Sequence, residues 1–159
     1  MADLYEDWTE FLTVLIAHRV RFVLVGGHAV AVHARPRHTE DLDLFVEPSR
    51  SNAKRLHDVL VEFGFGAVAP SIEELSTTSK VFMLGRTPFR IDLLTGIDGV
   101  SFREVWAGRL LVPMAAGKIP VIGKAELISN KRAAGRDKDL ADLLVLEPRR
   151  RTKRTSKKR

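Results

Sequence analysis

The chain has no cysteine, so neither a disulfide nor a thiolate metal site is open to it, which fits a reducing compartment. It also lacks any run of about eighteen apolar residues, the length a membrane-spanning helix needs. Its first residues, Met1-Ala2-Asp3-Leu4-Tyr5-Glu6-Asp7, are acidic, where a secretory leader would be basic and then apolar. A cytoplasmic protein with no membrane partner is the expectation. Neither Gly-x-x-x-x-Gly-Lys-Ser/Thr nor Gly-x-Gly-x-x-Gly occurs, which disfavours P-loop and dinucleotide-binding folds. The histidines, at 18, 28, 33, 38 and 57, show no zinc-site spacing supported by a third ligand. Ser71, Ser76 and Ser79 have no nucleophile context.

Acidic charge is missing from one place in particular. Residues 149–159 hold eight Lys or Arg and no Asp or Glu, whereas the whole chain of 159 residues carries a net charge of +6. Without that segment the body carries a net −2. The expected organisation is one domain over 1–148 followed by a disordered basic tail over 149–159, because a block without apolar residues has nothing to bury. Such a tail can draw RNA in by counterion release or serve only as a solubilising end. It has no aromatic residue with which to stack bases.

What is present begins with an amphipathic helix, since Trp8, Phe11, Leu12, Leu15 and Ile16 fall on one face. The strand expected at 21–25 ends in Gly26-Gly27, and a short helix is expected over 28–34. Thirteen residues separate that glycine pair from Asp41-Leu42-Asp43-Leu44, a polar–apolar alternation that reads as a strand. Residues two apart on a strand share a face, so Asp41 and Asp43 would lie about 6 to 7 Å apart at the backbone. Two carboxylates so placed can hold a hard divalent cation, and a glycine turn beside them lets backbone amides approach a phosphate.

Further along, Ser49 or Ser51 can cap a helix with the apolar stripe Ala53, Leu56, Leu60 and Phe63. A short helix is expected near 71–75, strands at 80–84 and 89–94 joined by Gly85-Arg86-Thr87-Pro88, and strands at 110–112 and 119–122. Two helices close the fold: 124–134, stopped by Gly135, and 138–147, with Asp137 as its N-cap. The fold class is α/β or α+β, a small mixed sheet flanked by helices. On the strand Phe89-Arg90-Ile91-Asp92, Asp92 can join Asp41 and Asp43. Three carboxylates so close repel one another unless cations neutralise them, and Mg²⁺ suits oxygen ligands beside substrate phosphates.

Singly these features are commonplace: Asp-x-Asp is often a solvated strand end, and Gly-Gly a plain turn. Their order is more specific. With that order the chain resembles the nucleotidyltransferase superfamily of polymerase-beta-like fold. It is most similar to the bacterial group related to the abortive-infection (AbiEii-like) toxins of type IV toxin–antitoxin systems. The matching stretches are Gly26-Gly27-His28-Ala29-Val30, Pro36-Arg37-His38-Thr39-Glu40-Asp41-Leu42-Asp43-Leu44, Arg90-Ile91-Asp92, and the segment from Lys131 to Asp142.

The resemblance implies transfer of a nucleoside monophosphate from an NTP such as ATP to an acceptor hydroxyl, releasing pyrophosphate. Asp41, Asp43 and Asp92 would be catalytic and bind two Mg²⁺ ions, or Mn²⁺ in their place. Gly26, Gly27, Arg37, Thr39, Lys131, Arg136 and Lys138 would bind the nucleotide, with Asp139 and Asp142 orienting the cations. His28 departs from the aromatic residue common there. RNA, especially a tRNA end, is one implied acceptor, and a cognate antitoxin one implied partner. The alternatives are a non-catalytic nucleotide- or RNA-binding antitoxin-like module, or transfer to a small molecule such as an antibiotic, or to a protein.

Overall fold

The alternation that marks the acidic strand is also what seats it. Leu42, Leu44 and Val46 are wholly buried on one face of their strand, and the intervening Asp41 and Asp43 turn to the other. The computed structural model describes residues 4–36 and 38–148; Arg37 and the basic segment 149–159, expected as a tail, lie outside them. The described elements are, in order, α1 (Glu6–Ala17), β1 (Phe22–Val25), α2 (Gly26–His33), β2 (Asp41–Val46), α3 (Arg50–Glu62), α4 (Ile72–Leu75), β3 (Val81–Leu84), β4 (Arg90–Leu94), α5 (Phe102–Ala107), β5 (Leu110–Met114), β6 (Gly117–Val121), α6 (Lys124–Ala134) and α7 (Asp137–Leu146).

The six strands form one mixed sheet in the order β3-β4-β2-β1-β6-β5. β2 runs antiparallel to β1 and parallel to β4, so the central acidic strand is held on both sides. The expected helix α1 buries Trp8, Phe11, Leu12 and Leu15 and packs beside α3, which buries Ala53, Leu56, Val59 and Leu60. Ser49 caps α3 by accepting the Asn52 amide, and Ser71 and Glu74 form a capping box on α4. Asn52 also ties the start of β1 to the end of β2: it accepts from the Arg21 amide and donates to the Arg21 and Glu47 carbonyls. That brace fixes the register of the strand that carries the acids.

Three differences from the sequence expectation have local causes. α2 begins at Gly26 rather than at His28, because Gly26 itself makes the turn out of β1 at φ +70°. α7 begins at Asp137, and its N-cap is Arg136, whose amide donates to the Asp139 carboxylate in place of the expected Asp137 cap. The six-residue helix α5 was not expected: it is too short for a periodic stripe, although Ser101 and Glu104 form a capping box at its start. Gly135 closes α6 in the left-handed conformation, as expected. Among the described residues no helix is long and apolar enough to cross a membrane.

Candidate active site

Strand register builds the site. In the parallel pair β2–β4, Asp43 lies opposite Asp92, and Asp41 lies opposite Arg90. Paired residues of adjacent strands point to the same face, so three acids and one arginine form a square on the sheet. On the other side of β2, Asp43 pairs with Val25, the residue just before the glycine turn. Gly26 therefore sits against the carboxylate: a Cβ built there would lie 2.0 Å from Asp43 Oδ2. Two demands, the positive φ and this close approach, converge on glycine at position 26. Gly26→Ala is expected to destabilise the fold by about 2 kcal/mol, from left-handed strain and displacement of Asp43. Denaturant titration checks this; an unchanged midpoint and slope would refute the close contact.

All the predicted site residues other than Arg37 line a single cleft of about 660 Å³, a size suited to a nucleotide-scale ligand. Gly26, Gly27, Thr39, Asp41, Asp43 and Asp92 come from the sheet side, and Lys131, Arg136 and Lys138 from α6 and α7. Helix α2 touches β1, β2, α6 and α7, which brings the basic helices over the acidic strands. The Thr39 hydroxyl is buried without a hydrogen-bond partner among the described residues, an arrangement that costs free energy unless a ligand or water completes it.

The motif Arg90-Ile91-Asp92 carries no site role for its arginine, yet the structure sets Arg90 among the acids. Its Nη2 donates to Asp41 Oδ2 at 2.9 Å and to Asp92 Oδ2 at 3.2 Å, and its Nε donates to Asp92 Oδ1 at 3.1 Å. The one available signal was its position two residues before Asp92 on the same strand face. Among the described residues no three carboxylate or imidazole groups are gathered as a ready metal cage. The Arg90 guanidinium instead holds the carboxylates of both Asp41 and Asp92. Asp43 responds to the remaining crowding. Burial first, then the charges of Asp92 and Asp41 and a hydrogen bond with Asp92, push its pKa up to about 7, with Lys138 pulling the other way. The carboxylate set is made of hard oxygen donors and carries more negative charge than Arg90 balances, so it fits a divalent cation.

Lys131 does more than line the cleft. It is buried, and its ammonium pairs with Asp139 at 3.2 Å and Asp142 at 3.1 Å, both also buried. Arg136 adds a 2.7 Å contact to Asp139. Burial alone would raise the Asp139 pKa, but hydrogen bonds from Arg136 and Lys131 outweigh it and hold the group below its ordinary value. Lys138, by contrast, is exposed at the rim.

The profile of the family described as "Nucleotidyl transferase AbiEii toxin, Type IV TA system" matches residues 11–148. Among solved structures, a candidate nucleotidyltransferase from Thermotoga maritima superposes with a TM-score of 0.58 at 18% identity, covering 86% of this chain and 87% of its own. An antigenic nucleotidyltransferase-like protein from Paracoccidioides brasiliensis gives 0.52 at 16% identity, covering 87% of this chain and 72% of its own. At those identities the two structures speak to the fold, which is that of the nucleotidyltransferases. No curated protein sequence matches significantly.

Proposed function

Since the chain belongs to the AbiEii family of nucleotidyl transferase toxins from type IV toxin–antitoxin systems, we propose that its cleft moves a nucleoside monophosphate from an NTP to an acceptor hydroxyl with the help of Mg²⁺. In this reaction the hydroxyl oxygen attacks the α-phosphorus, the bond to the β-phosphate oxygen breaks, and pyrophosphate leaves. The observation that carries the reading is the parallel register setting Asp43 against Asp92, beside a glycine with no room for a side chain.

Asp41, Asp43 and Asp92 would hold Mg²⁺, or Mn²⁺ in its place; bound there, two cations neutralise the triphosphate and make the attacking hydroxyl more acidic. The remaining work falls to the chain. The β/γ-phosphates would lie against the Gly26-Gly27 turn, where the first amides of α2 have no partner within the helix. Thr39, on the wall of the cleft, would donate to a phosphate oxygen, and Arg136 and Lys138, on the same cleft, would add positive charge. Asp92, on the strand next to the sheet edge, would be the acid nearest the acceptor hydroxyl. The acceptor we propose is RNA, with tRNA ends as one form, and the family implies a cognate antitoxin as a further partner.

The test is incubation with each α-³²P-labelled NTP, Mg²⁺ and total RNA. Label on RNA that needs Mg²⁺ supports the reading. Thermal stabilisation by NTP and Mg²⁺ without label on any acceptor would favour a binding module instead. The basic segment supplies a further expectation. Deleting residues 149–159 should weaken RNA binding at low salt and flatten the slope of log K against log salt by up to about 6, given about 0.7 per neutralised single-strand phosphate and eight basic residues in the segment. A salt titration of fluorescent RNA measures this, and an unchanged slope removes the segment from RNA binding.

A further inference from the structure

Arg90 is engaged with two of the three carboxylates that the reading above assigns to Mg²⁺, through the three hydrogen bonds to Asp41 and Asp92 already described. A carboxylate oxygen held by a guanidinium fork has fewer lone pairs to offer a metal, and a fixed positive charge at the same spot repels a dication. The arrangement follows from the parallel register that sets Arg90 opposite Asp41. It also has a reason: three neighbouring carboxylates need a counter-charge when no cation is bound, and Arg90 supplies one. The arginine side chain is 33% exposed and lines the cleft, so it can leave the cluster without disturbing the core.

From these observations we infer that Arg90 is an internal counter-ion that holds the metal-free carboxylate cluster together and competes with divalent metal for Asp41 and Asp92. Metal entry and arginine release are one event. The released guanidinium faces the cleft where a triphosphate would lie, and a forked donor suits phosphate oxygens. The site therefore takes metal weakly alone and strongly with nucleotide, because the nucleotide brings the charge that keeps Arg90 away from the acids. Arg90 is thus a positioning residue that couples metal binding to NTP binding. The inference rests on the metal-dependent reading of this site and goes beyond it, since that reading holds whether Arg90 competes with the metal or braces its ligands.

The sign of one measurement separates these two roles. Mn²⁺ binding to the full chain is followed through the EPR signal of free Mn²⁺, with and without a non-hydrolysable NTP analogue, for wild type, Arg90→Gln, Arg90→Lys and Asp43→Asn. Arg90→Gln should bind Mn²⁺ alone about tenfold more tightly than wild type, since one opposing charge is gone. It should also lose most of the gain that the nucleotide brings. Arg90→Lys should fall between the two, and Asp43→Asn should bind more weakly than wild type. Equal or weaker Mn²⁺ binding by a folded Arg90→Gln variant would overturn the inference and make Arg90 a brace. No Mn²⁺ binding by wild type, even with nucleotide, would overturn the metal reading itself and this inference with it. If Arg90→Gln fails to fold, the wild type decides. In ¹⁵N-arginine spectra, with the Arg90 Nε resonance assigned through Arg90→Lys, saturating Mg²⁺ and nucleotide should move that resonance off its metal-free position. A resonance that stays in place overturns the inference.

Discussion

Asp43→Asn is expected to cut Mg²⁺-dependent transfer of label by about a thousandfold or more while making the metal-free protein more stable at pH 8. The two effects have one cause. In the folded, metal-free protein Asp43 is crowded by burial and by the charges of Asp92 and Asp41, and its pKa stands at about 7 against an ordinary 3.8. A carboxyl that holds its proton more tightly when folded stabilises the fold only while it is protonated. Below about pH 4 the folded and unfolded chains both carry the proton and that contribution is fully present. From there to about pH 7 the unfolded chain has released the proton and the folded chain keeps it, so stability falls as pH rises.

At about 1.4 kcal/mol per tenfold change in proton affinity, the ceiling of this loss is about 4 kcal/mol. Water reaching the open cleft brings it to the order of 2 kcal/mol, or roughly 4–8 °C in Tm for a domain of this size. Asparagine cannot ionise, so the variant escapes the loss. With Mg²⁺ and NTP present the order should reverse, since wild type gains bound ligand and the variant does not. Melting curves at pH 5 and pH 8, with and without Mg²⁺ and NTP, decide the matter. A variant that melts below wild type at pH 8 without metal, or that keeps transfer within tenfold, would remove Asp43 from the centre of the site.

How much of this was legible beforehand depends on the range over which each feature is fixed. The pair Asp41 and Asp43 was readable because a strand with one face in the core must alternate, and Leu42, Leu44 and Val46 supply the buried half. Gly26 was readable as a turn, but not as the glycine against which Asp43 rests, since that contact depends on the pairing of Val25 with Asp43. Arg90 was hidden for the same reason. Its neighbour in sequence, Asp92, is visible, whereas its neighbour in space, Asp41, is set by a strand pairing across 49 residues. Helix α5 went unseen because six residues carry no period, and only its capping pair Ser101 and Glu104 could have announced it.

The last motif shows the limit most clearly. From the sequence Lys131 reads as a ligand of the nucleotide, with Asp139 and Asp142 orienting it from the next helix, and nothing in that reading puts the three side chains in the interior. The turn at Gly135 instead folds α7 back on α6, and all three side chains end up buried together. Lys131→Met is therefore expected to cost about 3 kcal/mol or more, since it removes the cation that two buried carboxylates share. That corresponds to a fall in Tm of roughly 6–12 °C. Arg136 also reaches Asp139, but its side chain is 62% exposed, so Arg136→Ala should cost about 1 kcal/mol at most. Adding Asp142→Asn to Lys131→Met should restore part of the loss, because one buried negative charge goes with the positive one. Transfer measured at low temperature, where the variant is folded, separates structure from binding. A Lys131→Met protein that melts within 2 °C of wild type but loses more than a hundredfold in transfer would return the lysine to the triphosphate. One that melts early and keeps transfer within tenfold when folded makes Lys131 the post on which α6 and α7 hold Lys138 over the acidic strands.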